Sequence, residues 1–146
     1  MRPGLRYCLT LRNDRAEIGR MAEWVDGILA DLALPQRAAY ALRLCLEEAV
    51  TNIISHAFEP DTTHDIQIGV WRDDAAVHAE ISDDGRAFDP LTHQEREAPA
   101  NLESAEIGGL GIKLMRGFAG VISHRRDGAM NQLVLSFPLP ESPSAA

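Results

Sequence analysis

The hydrophobic period of this chain changes several times, and the order of the changes admits few folds. Residues 5 to 11 alternate, with Leu5, Tyr7, Leu9 and Leu11 on one side and Arg6, Cys8 and Thr10 on the other, the pattern of a half-buried strand. Ile18, Met21, Ala22, Val25, Ile28, Leu29 and Leu32 then recur in steps of three and four, which predicts an amphipathic helix. Asp14 and Glu17 stand ahead of it at capping-box spacing. Pro35 suits the first turn of a second helix, whose apolar stripe runs Leu42, Cys45, Leu46, Ala49, Ile53. Ile66, Ile68 and Val70 alternate, Asp73-Asp74 turns the chain, and Val77, Ala79 and Ile81 alternate back.

Residues 84 to 107 carry no lasting period and are rich in Asp, Glu, Pro, His and Gln. A stretch that long inside a small domain is usually functional rather than a plain connector. A turn at Gly108-Gly109-Leu110-Gly111 opens a third helix to about Ala119, and two last strands, near 121–126 and 130–137, join around Asp127-Gly128. This order predicts an α+β fold, a two-layer sandwich with helices on one face of a mixed, mostly antiparallel sheet. Residues 1–139 are expected to form a single domain and residues 140–146 a disordered tail.

The formal net charge is −8, from 22 acidic and 14 basic residues, and such a surface discourages direct nucleic-acid binding. It leaves room for a nucleotide, because small phosphates are held by backbone N–H groups and a metal ion. No apolar run approaches the roughly 20 residues of a membrane helix. The charged N-terminus does not read as a signal peptide, so the expected compartment is the cytoplasm, with no membrane partner. Cys8 and Cys45 fit neither a disulfide framework nor a CxxC site and are expected to be buried or half-buried thiols. His64, His78, His93 and His124 show no metal-ligand spacing.

Three features carry chemistry. Glu48 and Asn52 lie four residues apart, on one face of the second helix that borders its apolar stripe. That spacing would suit a carboxylate base beside a carboxamide ligand for Mg²⁺, a cation that takes most of its six positions from phosphates and waters; a solvated helix face is the plainer alternative. Asp83, counted by twos from Val77, Ala79 and Ile81, falls on the buried side of its strand. There it needs a partner, either a ligand amine such as that of adenine or a local backbone bond in an Asp-Asp-Gly turn. The glycines at 108–111 let backbone approach a ligand, and the next helix N-terminus attracts an anion. No GxxxxGK[ST] is present, and the glycine turn does not follow an early strand as a Rossmann fingerprint would. His56, one turn past Asn52, Thr51, Ser55 and Lys113 are weaker candidates, each with a packing or solvent-exposed alternative. Trp24 sits off the first helix's stripe, either at the edge of the core or as a protein-binding anchor.

Together these stretches resemble the boxes of the Bergerat-fold ATPase superfamily of histidine kinases, gyrase and MutL. Glu48-Ala49-Val50-Thr51-Asn52 looks like its N-box, Asp83 to Asp89 its first glycine box, and Gly109-Leu110-Gly111 its second. The chain most resembles the anti-sigma factor serine kinases of bacterial partner-switching systems, over roughly residues 5 to 138. The resemblance implies ATP and Mg²⁺ as cofactors, with Asn52 on the metal, Asp83 accepting the adenine amine and Gly85 shaping the pocket wall. Gly109 and Gly111 would hinge a lid, residues 90–107, and present amides to the phosphates, with Leu110 between them; Glu48 would be the general base. The second glycine usual in the first box is Ala87 here; a methyl there narrows the site but fits where φ is negative. The implied partners are a sigma factor and a STAS-domain anti-anti-sigma protein phosphorylated on Ser or Thr, with a homodimer as the common assembly. A regulator of the same fold that binds ATP and a partner without transfer is the alternative. A sensor histidine kinase would need a dimerisation hairpin with its phospho-accepting histidine, for which 146 residues are not expected to leave room.

Overall fold

In the computed structural model, residues 5–87 and 121–140 are described. They form strand β1 (Arg6–Arg12), helices α1 (Glu17–Leu32) and α2 (Gln36–His56), and strands β2 (Asp65–Arg72), β3 (Ala76–Asp83), β4 (Val121–Asp127) and β5 (Met130–Pro138). The expected lid, the turn with Gly109, Leu110 and Gly111, the third helix with Lys113, His93, and residues 141–146 of the tail lie outside the described residues.

The strands form one sheet in the order β1-β2-β3-β5-β4, each neighbouring pair antiparallel. Side-chain alternation assigns its faces. Leu11, Ile66, Ile68, Val70, Val77, Ala79, Ile81, Leu133, Leu135 and Phe137 are all buried, and both helices pack on this inner face. From α1 come Met21, Val25, Ile28 and Leu32, in steps of four, three and four. α2 packs on the sheet beneath it and on α1 beside it, so its buried surface is wider than a single stripe, taking in Ala38, Ala41, Leu42, Cys45, Leu46, Ala49, Val50 and Ile53. Each large aliphatic side chain withdrawn from water there stabilises the fold by roughly 1.5–3 kcal/mol.

The helix ends and turns depart from the sequence expectations in small ways with clear causes. Asp14 Oδ1 accepts from Ala16 N at 2.9 Å, but Glu17 turns away from it to accept from Arg20 Nε at 2.6 Å and Arg12 N at 3.3 Å. The capping box is therefore replaced by an Asx turn and an ion pair. At its other end α1 stops on Ala33 in the left-handed region, where Arg72 Nη1 donates to the carbonyls of Leu32 and Ala33, both at 2.7 Å. Those bonds satisfy orphan carbonyls at the negative end of the helix dipole. Pro35 is the residue before α2 rather than its first turn. The β4–β5 turn residues are Gly128 and Ala129, one later than expected, because only glycine takes the positive φ of +60° at its first central position without strain. Cys8 is exposed, against expectation, since β1 turns it to the open face of the sheet; Cys45 is buried as expected. Leu5, ahead of β1, is 47% exposed. Trp24 packs at the edge of the core.

Candidate active site

At one end of the inner face the apolar ladder gives way to polar residues. In register across four strands stand Ile66, Asp83, Asn131 and Arg126, whereas the next inner row is Ile68, Ile81, Leu133 and His124. Asp83 is 2% exposed and Asn131 3%, so both carry side chains that must find partners inside the protein. Asp83 Oδ1 accepts from Gly85 N at 2.9 Å and from Asn131 Nδ2 at 3.0 Å. Thus the local turn bond expected of an Asp-Asp-Gly turn is made, but by one oxygen. Oδ2 accepts no hydrogen bond from the described residues. Burial, the largest cause, pushes the Asp83 carboxyl above its ordinary value, against the opposing pull of its two donors and the Arg126 charge.

The turn that follows Asp83 is joined to the end of α2 through Arg86, by its backbone and by its side chain. Arg86 N donates to Ala57 O at 2.9 Å and Arg86 Nε to His56 O at 2.8 Å. Gly85 fits between these groups only because it has no side chain: a Cβ there would lie 2.5 Å from Ala57 O and 2.9 Å from Asp83 Oδ1. Gly85→Ala is expected to cost on the order of 1–3 kcal/mol of stability by overpacking, read as a lower denaturation midpoint in urea. Ala87 is exposed, and since Ala33 and Asp61 are the only non-glycine positions with positive φ among the described residues, its methyl meets no backbone penalty.

On α2 itself Asn52 is 7% exposed and Glu48 half-buried, so the pair does not form a solvated face. Asn52 Nδ2 is buried without a hydrogen-bond partner among the described residues, which costs about 1–3 kcal/mol unless a ligand group meets it. Burial raises the Glu48 carboxyl above its ordinary value, and the charge of adjacent Glu47 adds to the rise. Cys45, one turn earlier, has its thiol pushed up to about 12 by burial and by Glu48, which leaves it an inert core residue. No three acidic, histidine or cysteine side chains gather around one point among the described residues. A cation beside Asn52 would therefore draw most ligands from phosphates and waters, which fits Mg²⁺.

Other candidates divide. Ser55 accepts from Arg15 Nη2 at 3.1 Å on the exposed face of α2, and Thr51 is half-buried. His64 stacks on Phe58 and its Nδ1 lies 3.0 Å from Asp84 Oδ1, which ties the α2–β2 loop to the Asp-Asp-Gly turn. Asn131 and Arg126 are not among the candidates that the sequence motifs single out. Counting by twos back from Phe137, Leu135 and Leu133 finds Asn131, the same parity that singles out Asp83.

A helical layer on an antiparallel sheet, with an Asp-Asp-Gly turn hydrogen-bonded to the end of an N-box helix, defines a histidine kinase-like ATPase domain. The profile of that family matches residues 11–137, and the chain belongs to it. Within the family the chain is similar to the serine/threonine-protein kinase BtrW of Bordetella bronchiseptica, 34% identical over 120 residues that cover 82% of this chain and 84% of that protein. It is 28% identical over 111 residues to the serine-protein kinase RsbW of Listeria monocytogenes, covering 73% and 69%. Among solved structures, the blue-light activated histidine kinase of Erythrobacter litoralis superposes with a TM-score of 0.57 at 20% identity, over 85% of this chain and 41% of that one. Its histidine kinase domain gives 0.52 at 21% identity, over 85% and 60%. These structural likenesses establish the fold; the chain spans 41% and 60% of the two solved chains.

Proposed function

We propose that this chain is an ATP- and Mg²⁺-dependent serine/threonine-protein kinase and anti-sigma factor of the partner-switching type. In this reading it acts in the cytoplasm, as a homodimer. It holds a sigma factor inactive, releases it for a STAS-domain anti-anti-sigma protein, and phosphorylates that antagonist on serine or threonine. The observation that carries the reading is the pair Glu48 and Asn52, one turn apart on α2, with Asn52 buried and Glu48 half-buried. Similarity to BtrW and RsbW, both named as protein kinases of serine or of serine and threonine, supports it. No described helix is long and apolar enough to cross a membrane.

Asp83 Oδ2 accepts the exocyclic amine of adenine, while Gly109, Leu110 and Gly111 supply backbone amides to the phosphates. Asn52 offers its carboxamide oxygen to the metal. Bound Mg²⁺ would neutralise charge on the phosphate oxygens. Glu48 takes the proton from the attacking hydroxyl, whose oxygen bonds to the γ-phosphorus as the bond to the bridging oxygen breaks and ADP leaves. Phosphoryl transfer rests on positioning and charge neutralisation, so one base and a cradle of donors suffice.

The base must be ionised to act. Because burial and Glu47 raise the Glu48 carboxyl, the acid limb of the rate at saturating ATP should lie above the ordinary glutamate range. Glu47→Gln should move that limb to lower pH, as the pH–rate profiles of the two proteins would record.

The test uses purified chain, a STAS-domain protein and a sigma factor from the same genome, and γ-labelled ATP. Label on a serine or threonine of the STAS protein, with the sigma factor bound before the antagonist is added and free after, supports the reading. ATP bound without transfer would favour the non-catalytic regulator, and label on histidine would reject the kinase class proposed.

A further inference from the structure

Arg126 is an exposed arginine on β4, yet its guanidinium is committed to three acceptors, two of them groups that flank Asp83 and the third in its own hairpin turn. Nη1 donates to Gly85 O at 2.8 Å and to Asn131 Oδ1 at 3.1 Å, and Nε donates to Gly128 O at 3.1 Å. Its position follows from register, since Arg126 faces Asn131 across the β4–β5 pair as Asn131 faces Asp83 across β5–β3.

The chemistry of a carboxamide makes that contact directional. With Arg126 donating to Asn131 Oδ1, the other end of the amide must present N–H groups. Those go to Arg86 O at 2.8 Å and to Asp83 Oδ1 at 3.0 Å. A flipped amide would set its oxygen against Arg86 O and Asp83 Oδ1, two acceptors, and its N–H groups against a cation. Arg126 thus joins Arg86 O and Asp83 Oδ1 in selecting one orientation of Asn131, and is the donor that holds its oxygen end. Asn131, with Gly85 N, in turn fills Oδ1 of Asp83 and fixes the plane of the carboxylate.

We propose that Arg126 is a positioning residue for base selection, acting through Asn131 so that Asp83 is held with Oδ1 saturated and Oδ2 as the one acceptor for an amine-bearing purine. The proposal rests on the reading of Asp83 as the adenine acceptor. Arg126 touches neither the base nor the reacting atoms in this scheme. Its effect reaches the base through Asp83 alone, by way of Asn131 and of the guanidinium charge that favours the ionised carboxylate.

Inosine triphosphate is the discriminating probe, because it carries a carbonyl where ATP carries the amine. Calorimetric titration of the whole chain should give a preference for ATP of roughly 10- to 100-fold, the worth of a hydrogen bond to a charged acceptor. In Arg126→Met that preference should fall severalfold toward parity, mainly by weaker ATP binding, while inosine triphosphate binds nearly as before. Arg126→Lys keeps the charge and one donor, and should retain an intermediate preference. Arg125→Met is the control of equal charge change. Arg125 Nε donates to Gln132 Oε1 at 2.6 Å on the opposite face of the hairpin, so the preference should not move.

If Arg126→Met does not fold, Asn131→Ala tests the same relay and should lose the preference likewise. An undiminished preference in Arg126→Met or Asn131→Ala, beside lost ATP binding in Asp83→Asn, would overturn the relay and leave the adenine reading of Asp83 standing. Equal binding of both nucleotides by the unaltered chain, or an unaffected Asp83→Asn, would overturn the two together.

Discussion

Asp83→Asn should abolish measurable ATP binding while leaving the protein as stable as before, or more so. The two donors on Oδ1, Gly85 N and Asn131 Nδ2, both require an acceptor. An asparagine there must therefore give them its oxygen and turn its NH₂ to the place of Oδ2. Adenine then meets a donor with a donor, and loses a charge-assisted bond as well. The combined loss is on the order of 100-fold or more in affinity. Stability moves the other way. The Asp83 carboxyl sits above its ordinary value because burial penalises the ionised form, so at neutral pH the folded state carries a charge that the unfolded state solvates better. That penalty is relieved as pH falls through the raised folded value, and wild-type stability gains there; asparagine has no such dependence. Calorimetry at neutral and mildly acidic pH, with and without ATP, reads both effects. Wild-type ATP affinity in the variant would remove Asp83 from the site.

Glu48→Gln should do the reverse, sparing the nucleotide and losing the transfer. The substitution keeps the side chain's length and removes its ability to take a proton. A positioned general base contributes typically about 10²- to 10⁴-fold to rate, and the drop in kcat should fall in that range. The ATP dissociation constant should change little, because Asn52, Asp83 and Gly85 remain. Removing a half-buried carboxylate, itself disfavoured when ionised, should cost no stability. Transfer surviving at the wild-type rate would assign the base to another residue. A large loss of ATP affinity would instead move Glu48 from proton transfer to nucleotide binding.

Where side-chain parity is simple, fold and site were legible in the sequence. Ile66 to Val70 and Val77 to Ile81 alternate cleanly, so both strands and the inward position of Asp83 follow from counting. The inward face of β4 is Ile122, His124 and Arg126, while Val121 on the outward side is 59% exposed. Hydropathy alone points that strand the wrong way, and Arg126 could not be found. Asn131 lay within reach of the parity argument, one step before the apolar run of β5. The burial of Asn52 was hidden for another reason. Helical periodicity sees one buried stripe, whereas α2 is covered by α1 and by the sheet, which draws in positions beside the stripe. Cys8 alternates with apolar neighbours and packs as a surface residue, since a strand's second face need not be covered.

The most direct test of the central claim is the fate of the γ-phosphate. Wild-type chain and Glu48→Gln would be incubated with γ-labelled ATP in extract of the source organism, and the phosphorylated residue located by mass spectrometry. A small STAS-domain protein should be labelled on serine or threonine by the wild type and left unlabelled by the variant, although both bind ATP. Equal labelling by the two proteins, or label carried on histidine, would contradict that claim.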